Sequence, residues 1–198
     1  MHSWYHLNIS IADALNRNSP FRWPMPFFKN MVFHFRGDHI FEALNKQWLE
    51  QFADLGYPIT ELLIFWKVDF HPFEYMAHVD INTLNSSQLS HSAFNIVIGG
   101  CDSTMNFYKL PNDKKPIKYI TSNSPYKEWH VIDDKLELLD VLDDYSKIVM
   151  VRVDLPHAII TKEWPRLCFS FRSQPASDYP WDYVVADFTK HGLLIPRD

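Results

Sequence analysis

Residues 147–172 read Lys147-Ile148-Val149-Met150-Val151-Arg152-Val153-Asp154-Leu155-Pro156-His157-Ala158-Ile159-Ile160-Thr161-Lys162-Glu163-Trp164-Pro165-Arg166-Leu167-Cys168-Phe169-Ser170-Phe171-Arg172. Three runs rich in β-branched and aromatic residues, 147–154, 157–161 and 166–172, are punctuated by Pro156 and by Lys162-Glu163-Trp164-Pro165, which predicts three short strands in succession. The last two are expected to pair as an antiparallel hairpin, with Arg166 on the strand beside the one that bears His157. Alternation along 166–172 sets Arg166, Cys168, Ser170 and Arg172 on one face and Leu167, Phe169 and Phe171 on the other.

The same texture extends N-terminally through 61–70, 76–82, 93–98, 103–110 and 128–132, giving about eight strands in all. Helices are expected only at the flanks. Asp38 precedes apolar residues at near-helical spacing that stop at Gly56, predicting a helix over 39–55, and Pro180 and Gly192 bracket a second over 181–191. The segment 111–127, with its Asn, Asp, Ser and Pro residues, is expected to be a loop, long enough to cover a site. Five glycines and no strand-helix alternation leave no room for a glycine-rich phosphate loop or a parallel nucleotide-binding sheet. The fold class expected is therefore mainly β with flanking helices, an antiparallel sandwich or double-sheet jelly roll, as one domain over 1–198 with its β core at about 60–173.

A hydrophobic content of 46% with 22% charged residues excludes the disordered and collagen-like classes. Nineteen basic against twenty-four acidic residues leave a formal net charge of −5, and no basic run could neutralise a phosphate backbone, so duplex nucleic acid is excluded as a partner. Cys101 and Cys168 are too few for a disulfide framework and fit a reducing compartment. The start, MHSWYHLNIS, has neither the basic nor the apolar region of a signal peptide, and the densest apolar run, Leu62 to Trp66, is far short of a membrane span. A soluble, cytoplasmic protein is expected.

Ten histidines invite a search for ligands. His2, His6, His34, His39, His91, His130 and His191 have no acidic or histidine partner at a useful spacing and are expected to be ordinary surface or core residues. His78-Val79-Asp80 differs, because residues i and i+2 of a strand project to one face and bring an imidazole and a carboxylate together. With a second histidine they would form the facial triad of non-haem Fe(II) oxygenases. His157, at a strand junction, is the best candidate for it, and His71 with Glu74 nearby is the alternative source of a ligand. Arg166 follows His157 by nine positions, and if its strand face points inward it offers a bidentate fork for a carboxylate. Taken alone, the same strand reads more readily as a solvated face with a surface arginine at each end.

The ordered set His78-Val79-Asp80, the strand and turn Phe94-Asn95-Ile96-Val97-Ile98-Gly99-Gly100-Cys101, then Pro156-His157 and Arg166, resembles the 2-oxoglutarate and Fe(II)-dependent oxygenases over residues 60–173. The resemblance implies a double-stranded β-helix, a jelly roll of cupin-like type. It also implies iron held by His78, Asp80 and His157, and 2-oxoglutarate held by Arg166 with Asn95 as a further contact. O2 and a small-molecule or peptidyl substrate would be the remaining reactants, and the product a hydroxylated C–H. One departure stands out: Cys168 occupies the serine position of the family's Arg-x-Ser pattern, with serine instead at Ser170; Arg172 has two readings, a surface charge, which is favoured, and a second cosubstrate contact. The alternatives are a cupin-type metal isomerase or hydrolase, although the cupin His-x-His with its following glutamate is absent, and a metal-free jelly-roll binding module. The N-terminal aromatic stretch Phe21 to Phe28 is expected either to wall a substrate pocket or to cover a sheet edge.

Overall fold

The computed structural model describes residues 2–19, 21, 25–69, 77–80, 89–100, 102–109, 117–120, 127–130 and 136–197. Their strands form two six-stranded antiparallel sheets. The first contains β1 (Trp4–His6), β2 (Met31–Arg36), β3 (Ile59–Lys67), β5 (Ser92–Ile98), β10 (Val149–Arg152) and β12 (Arg166–Ser173), in the order β1-β10-β5-β12-β3-β2. The second contains β4 (His78–Asp80), β6 (Ser103–Lys109), β7 (Ile117–Ile120), β8 (Lys127–His130), β9 (Glu137–Leu142) and β11 (His157–Thr161), in the order β7-β8-β4-β11-β6-β9. From β3 to β6, and again from β9 to β12, the chain changes sheet at each successive strand.

β12 is the keel of the molecule. It lies between β3 and β5, and all eight of its residues are buried. Its alternation serves two different interiors. Leu167, Phe169 and Phe171 join Leu62, Ile64 and Trp66 of β3 and Phe94 and Ile96 of β5 in an apolar core under the helices. Cys168, on the opposite face, joins Ala93, Val97, Val149 and Val151 in a second cluster that also holds Met105, Phe107 and Leu142 from the other sheet. The two sheets therefore pack face to face, and the polar side chains of β12 point between them.

Of the flanking helices, α4 (Trp181–Lys190) matches the expected one, with Trp181, Val184 and Phe188 buried and Gly192 in the left-handed conformation after its end. The helix expected over 39–55 is instead a 3₁₀ turn, Gly37–Glu42, followed by α2 (Lys46–Asp54). The break has a physical cause. Asn16 donates its N–H to Ala43 O and Asn45 donates its N–H to Ala14 O, at 2.9 and 2.8 Å, so Leu44 bridges Leu15 and Asn45 is extended beside the end of α1 (Ile11–Ala14). The Asn45 side chain then caps the new helix by accepting from Gln47 N–H at 2.9 Å. Trp48, Leu49 and Phe52 of α2 are buried in the helix-side core.

All eight expected strands are present, and four more were not anticipated: β1, β2, β7 and β9. β7 lies inside the segment 111–127 that was expected to be loop; residues 110–116 and 121–126 fall outside the described residues. β11 and β12 do not pair with each other, contrary to the expected hairpin: β11 lies between β4 and β6, and β12 lies in the facing sheet. No helix among the described residues is long and apolar enough to cross a membrane.

Candidate metal centre

β4 and β11 meet in register at His78 and His157, which are directly opposed across the strand pair, so both imidazoles leave the same face. Their ring centroids are 4.4 Å apart. Asp80, two residues along β4, projects to that face as well. Its backbone is fixed by N–H donation to Val153 O at 2.9 Å and by acceptance from Ser90 N–H at 3.0 Å. Asp80 Oδ1 stands 3.9 Å from His78 Nε2 and 3.8 Å from His157 Nε2. These separations are too long for hydrogen bonds, so the groups converge without bonding one another. One ligand atom from each of the three residues lies within 4.8 Å of the others, in a group suited to a metal ion. For metal–ligand bonds of about 2.1 Å, adjacent ligand atoms would be about 3 Å apart, so closure asks for a shift of about 1 Å.

His157 is prepared as a ligand. Nδ1 lies 3.0 Å from Leu155 O, an acceptor, so that nitrogen carries the proton and Nε2 offers its lone pair toward Asp80. Burial, reinforced by neighbouring His78, pushes the imidazole pKa down to about 4, keeping the ring neutral at neutral pH. An unfolded histidine titrates near 6.5, so between about 6.5 and 4 the unfolded chain binds more protons than the fold. Stability from this residue is thus fully present above pH 6.5 and lost as pH falls through about 4. In urea unfolding of the metal-free protein between pH 7 and 4, His157→Gln should reduce the pH slope by up to one proton. An unchanged slope would show that His157 does not titrate as a buried neutral ring.

The facing strand β12 contributes two buried arginines. Arg172 donates from Nη2 to Asp80 Oδ2 at 2.6 Å and from Nη1 to Ser170 Oγ at 3.1 Å. It engages one carboxylate oxygen of Asp80 while the other faces the histidines, which fixes the carboxylate's orientation. The reading of Arg172 as a surface charge is therefore corrected: at 7% exposure it is interior, because strand parity places it on the inward face with Arg166. At the far end of β12, Arg166 is 4% exposed and donates from Nε to Ser103 Oγ at 3.2 Å, with its guanidinium 5.9 Å from the Tyr145 ring centroid. Burial pushes the Tyr145 phenol up to about 12, with the Arg166 charge acting in the opposite sense.

Between the two ends, Asn95 of β5 is 8% exposed and lies opposite Ser170 in register on the inward face. Its Oδ1 is buried with no hydrogen-bond partner among the described residues, which leaves it able to accept a hydrogen bond from a group that enters the interior. Cys168 is a buried free thiol in the apolar cluster, its pKa raised by burial.

The tertiary structure thus brings His78, Asp80 and His157 together and turns Arg166 and Asn95 to the same inter-sheet interior. Arg172, placed by parity on the Arg166 face but read as a surface charge, belongs to this interior, and Ser103 and Tyr145 were missed; Tyr145, in the stretch Asp143-Asp144-Tyr145-Ser146-Lys147, carries no local signal. The aromatic stretch at Phe21 to Phe28 does not wall this site in its described part. Phe21 and Phe27 pack on Phe33 at 5.1 and 5.6 Å, beside the helix-side core on the opposite face of the first sheet. Five histidines assigned no partner lie beside an acidic residue: His34 is 2.6 Å from Glu61, His39 2.9 Å from Glu42, His91 3.0 Å from Asp154, and His6 and His191 are each 3.7 Å from Asp144 and Asp187 respectively. His71, Glu74 and Cys101 lie outside the described residues. No protein-family model, curated protein or solved structure matches this chain.

Proposed function

We propose that the protein is an Fe(II)- and 2-oxoglutarate-dependent oxygenase built on a jelly-roll, double-stranded β-helix core. The strand orders β10-β5-β12-β3 and β4-β11-β6-β9, with the chain passing between sheets, support the core assignment. The observation that carries the functional reading is the combination of a His-Asp-His group with a buried arginine on one interior surface. A metal centre alone would suit many chemistries; the added arginine asks for an anion.

Bound there, iron and its 2-oxo acid would supply O2 activation with oxidative decarboxylation of the cosubstrate to succinate. The chain's own residues do the rest. His78, Asp80 and His157 would occupy one side of the metal and leave the other open. Arg172 keeps the Asp80 side chain oriented, and the Leu155 carbonyl keeps His157 in the right tautomer. Arg166, anchored at Ser103, would take the distal carboxylate of the cosubstrate. Ser103 pairs with Thr161 and Phe107 with His157, so the anchor lies four residue steps, about 13 Å, along the β6–β11 ladder from the triad. A five-carbon diacid, about 5 Å between its carboxyl carbons, together with the Arg166 side chain, suits that span. The inter-sheet apolar cluster would exclude water around it. Amino acids, peptidyl side chains and small metabolites are the substrate classes that accord with an acidic protein lacking a basic groove.

Anaerobic titration of the protein with Fe(II) and 2-oxoglutarate should produce the weak visible charge-transfer band of bidentate 2-oxo acid chelation, and Arg166→Ala should weaken cosubstrate binding while retaining metal. Metal binding without a band would favour a cupin-type isomerase or hydrolase. Absence of metal binding would favour a binding module.

A further inference from the structure

The backbone of Asp80 is gripped by two segments that are far from it and from each other in sequence. Its N–H donates to Val153 O at 2.9 Å, and its carbonyl accepts from Ser90 N–H at 3.0 Å. The two holders are themselves joined, because Val153 donates its N–H to His91 O at 3.1 Å. A side-chain contact closes the ring. His91 Nδ1 lies 3.0 Å from Asp154 Oδ2, and a carboxylate paired with an arginine only accepts, so Nδ1 carries the proton and donates. That arginine is Arg152, which donates from Nε to Asp154 Oδ1 at 2.7 Å and from Nη2 to Oδ2 at 3.3 Å. Asp154 also opens the turn that carries His157: Leu155 O takes the Nδ1–H of His157, and Pro156 O accepts from Tyr108 N–H at 2.8 Å. The stretch 153–156 therefore touches both ligand-bearing segments, Asp80 through Val153 and His157 through Leu155.

We propose that His91 and Asp154 are positioning residues for the metal group, their hydrogen bond forming a clasp that holds Asp80 and the His157 turn at one fixed separation. The inference rests on reading His78, Asp80 and His157 as a metal centre, and not on the oxygenase chemistry. The clasp lies outside the site. Val151 and Val153 belong to the inter-sheet cluster, so Arg152 and Asp154 alternate to the opposite side, and the His91 and Asp154 side chains are 30% and 11% exposed. The His91 backbone is anchored in turn, its N–H donating to Ser177 O of α3 (Gln174–Asp178) at 3.0 Å. A partly exposed ion pair adds little to the stability of the whole fold. Its effect is local: ligands must be held within about 0.5 Å of their places, and loss of an outer partner typically costs about 10–100-fold in metal affinity.

The test is calorimetric Mn(II) binding together with the electron paramagnetic resonance spectrum of the bound ion, which reads the symmetry of the ligand set and is not moved by a fold that is merely less stable. His91→Ala should weaken Mn(II) binding at least tenfold and broaden the spectrum, because Asp80 and His157 no longer share one geometry. His91→Asn sets an amide N–H where Nδ1–H stands, and should bring the affinity back to within threefold of the wild type and restore its spectrum. Asp154→Ala should match His91→Ala, and the double variant should lose no more than either single one, since the same hydrogen bond is removed in all three. His91→Leu, which keeps the bulk and removes the donor, decides the matter if His91→Ala does not fold. If the folded His91 and Asp154 variants keep the affinity within twofold and the wild-type spectrum, the clasp is wrong and the metal centre stands. If they lose affinity and His91→Asn does not recover it, the hydrogen bond is not the cause and the clasp is equally wrong. If the wild type binds no Mn(II), the metal reading fails and the clasp falls with it.

Discussion

Asp80→Ala is expected to lower divalent-metal affinity by on the order of 100-fold or more and to destabilise the metal-free fold by about 3–5 kcal/mol. The second effect does not come from the metal. Asp80 and Arg172 face each other across the two sheets at 2.6 Å, with side chains only 6% and 8% exposed, and removing the carboxylate leaves the guanidinium buried without its counter-charge. A paired substitution separates the two roles. Asp80→Ala with Arg172→Met should recover most of the stability, because an apolar pair of similar volume replaces the ion pair, and should recover none of the metal affinity. Urea unfolding and calorimetry with Mn(II) measure the two quantities independently. A single variant as stable as the wild type would mean that Ser170 and other neighbours satisfy Arg172 without Asp80.

The second large effect lies on the other face of the same strand. Phe171 packs with its ring centroid 5.1 Å from Trp48, 6.1 Å from Phe52 and 5.4 Å from Phe94, at the meeting of β12, β5 and α2. Phe171→Ala should cost about 3–5 kcal/mol, the usual range for a buried phenylalanine whose cavity cannot collapse. At roughly 2–4 °C per kcal/mol for a chain of this size, the thermal midpoint should fall by about 10 °C. Metal affinity should change only a few-fold, since the triad lies beyond the sheet on the opposite side. A parallel loss of metal would show that β12 transmits packing defects from one face to the other.

Much of the fold was legible because strand periodicity is local. The eight predicted strands all exist, Arg166, Cys168, Ser170 and Arg172 share one face as alternation requires, although that face is buried rather than solvated, and α4 ends where Gly192 stops it. The unpredicted strands β1, β2, β7 and β9 form through the partners that folding brings to them: β1 pairs with β10, β2 with β3, β7 with β8 and β9 with β6. The helix predicted over 39–55 is broken for the related reason that backbone bonds between residues 43 and 45 and residues 16 and 14, distant in sequence, hold Leu44 and Asn45 out of the helix.

For the site, the sequence by itself determined which chemistry was on offer: a strand-borne His78 and Asp80 two residues apart, a histidine at a strand junction, and an arginine on an alternating strand. Such features follow from side-chain type and the two-residue period of a strand, both of which are properties of a few consecutive residues. Only the tertiary structure decided how they meet. The expected β11–β12 hairpin would have set Arg166 beside His157 in one sheet; instead the connection crosses from sheet to sheet, so β12 faces the His78–Asp80–His157 group and delivers Arg172 to Asp80 as well as Arg166 to Ser103. Whether two strands joined by a short turn pair with each other or with more distant strands depends on the whole set of competing sheet contacts and on burial of both faces, and that competition is settled only when the chain closes on itself.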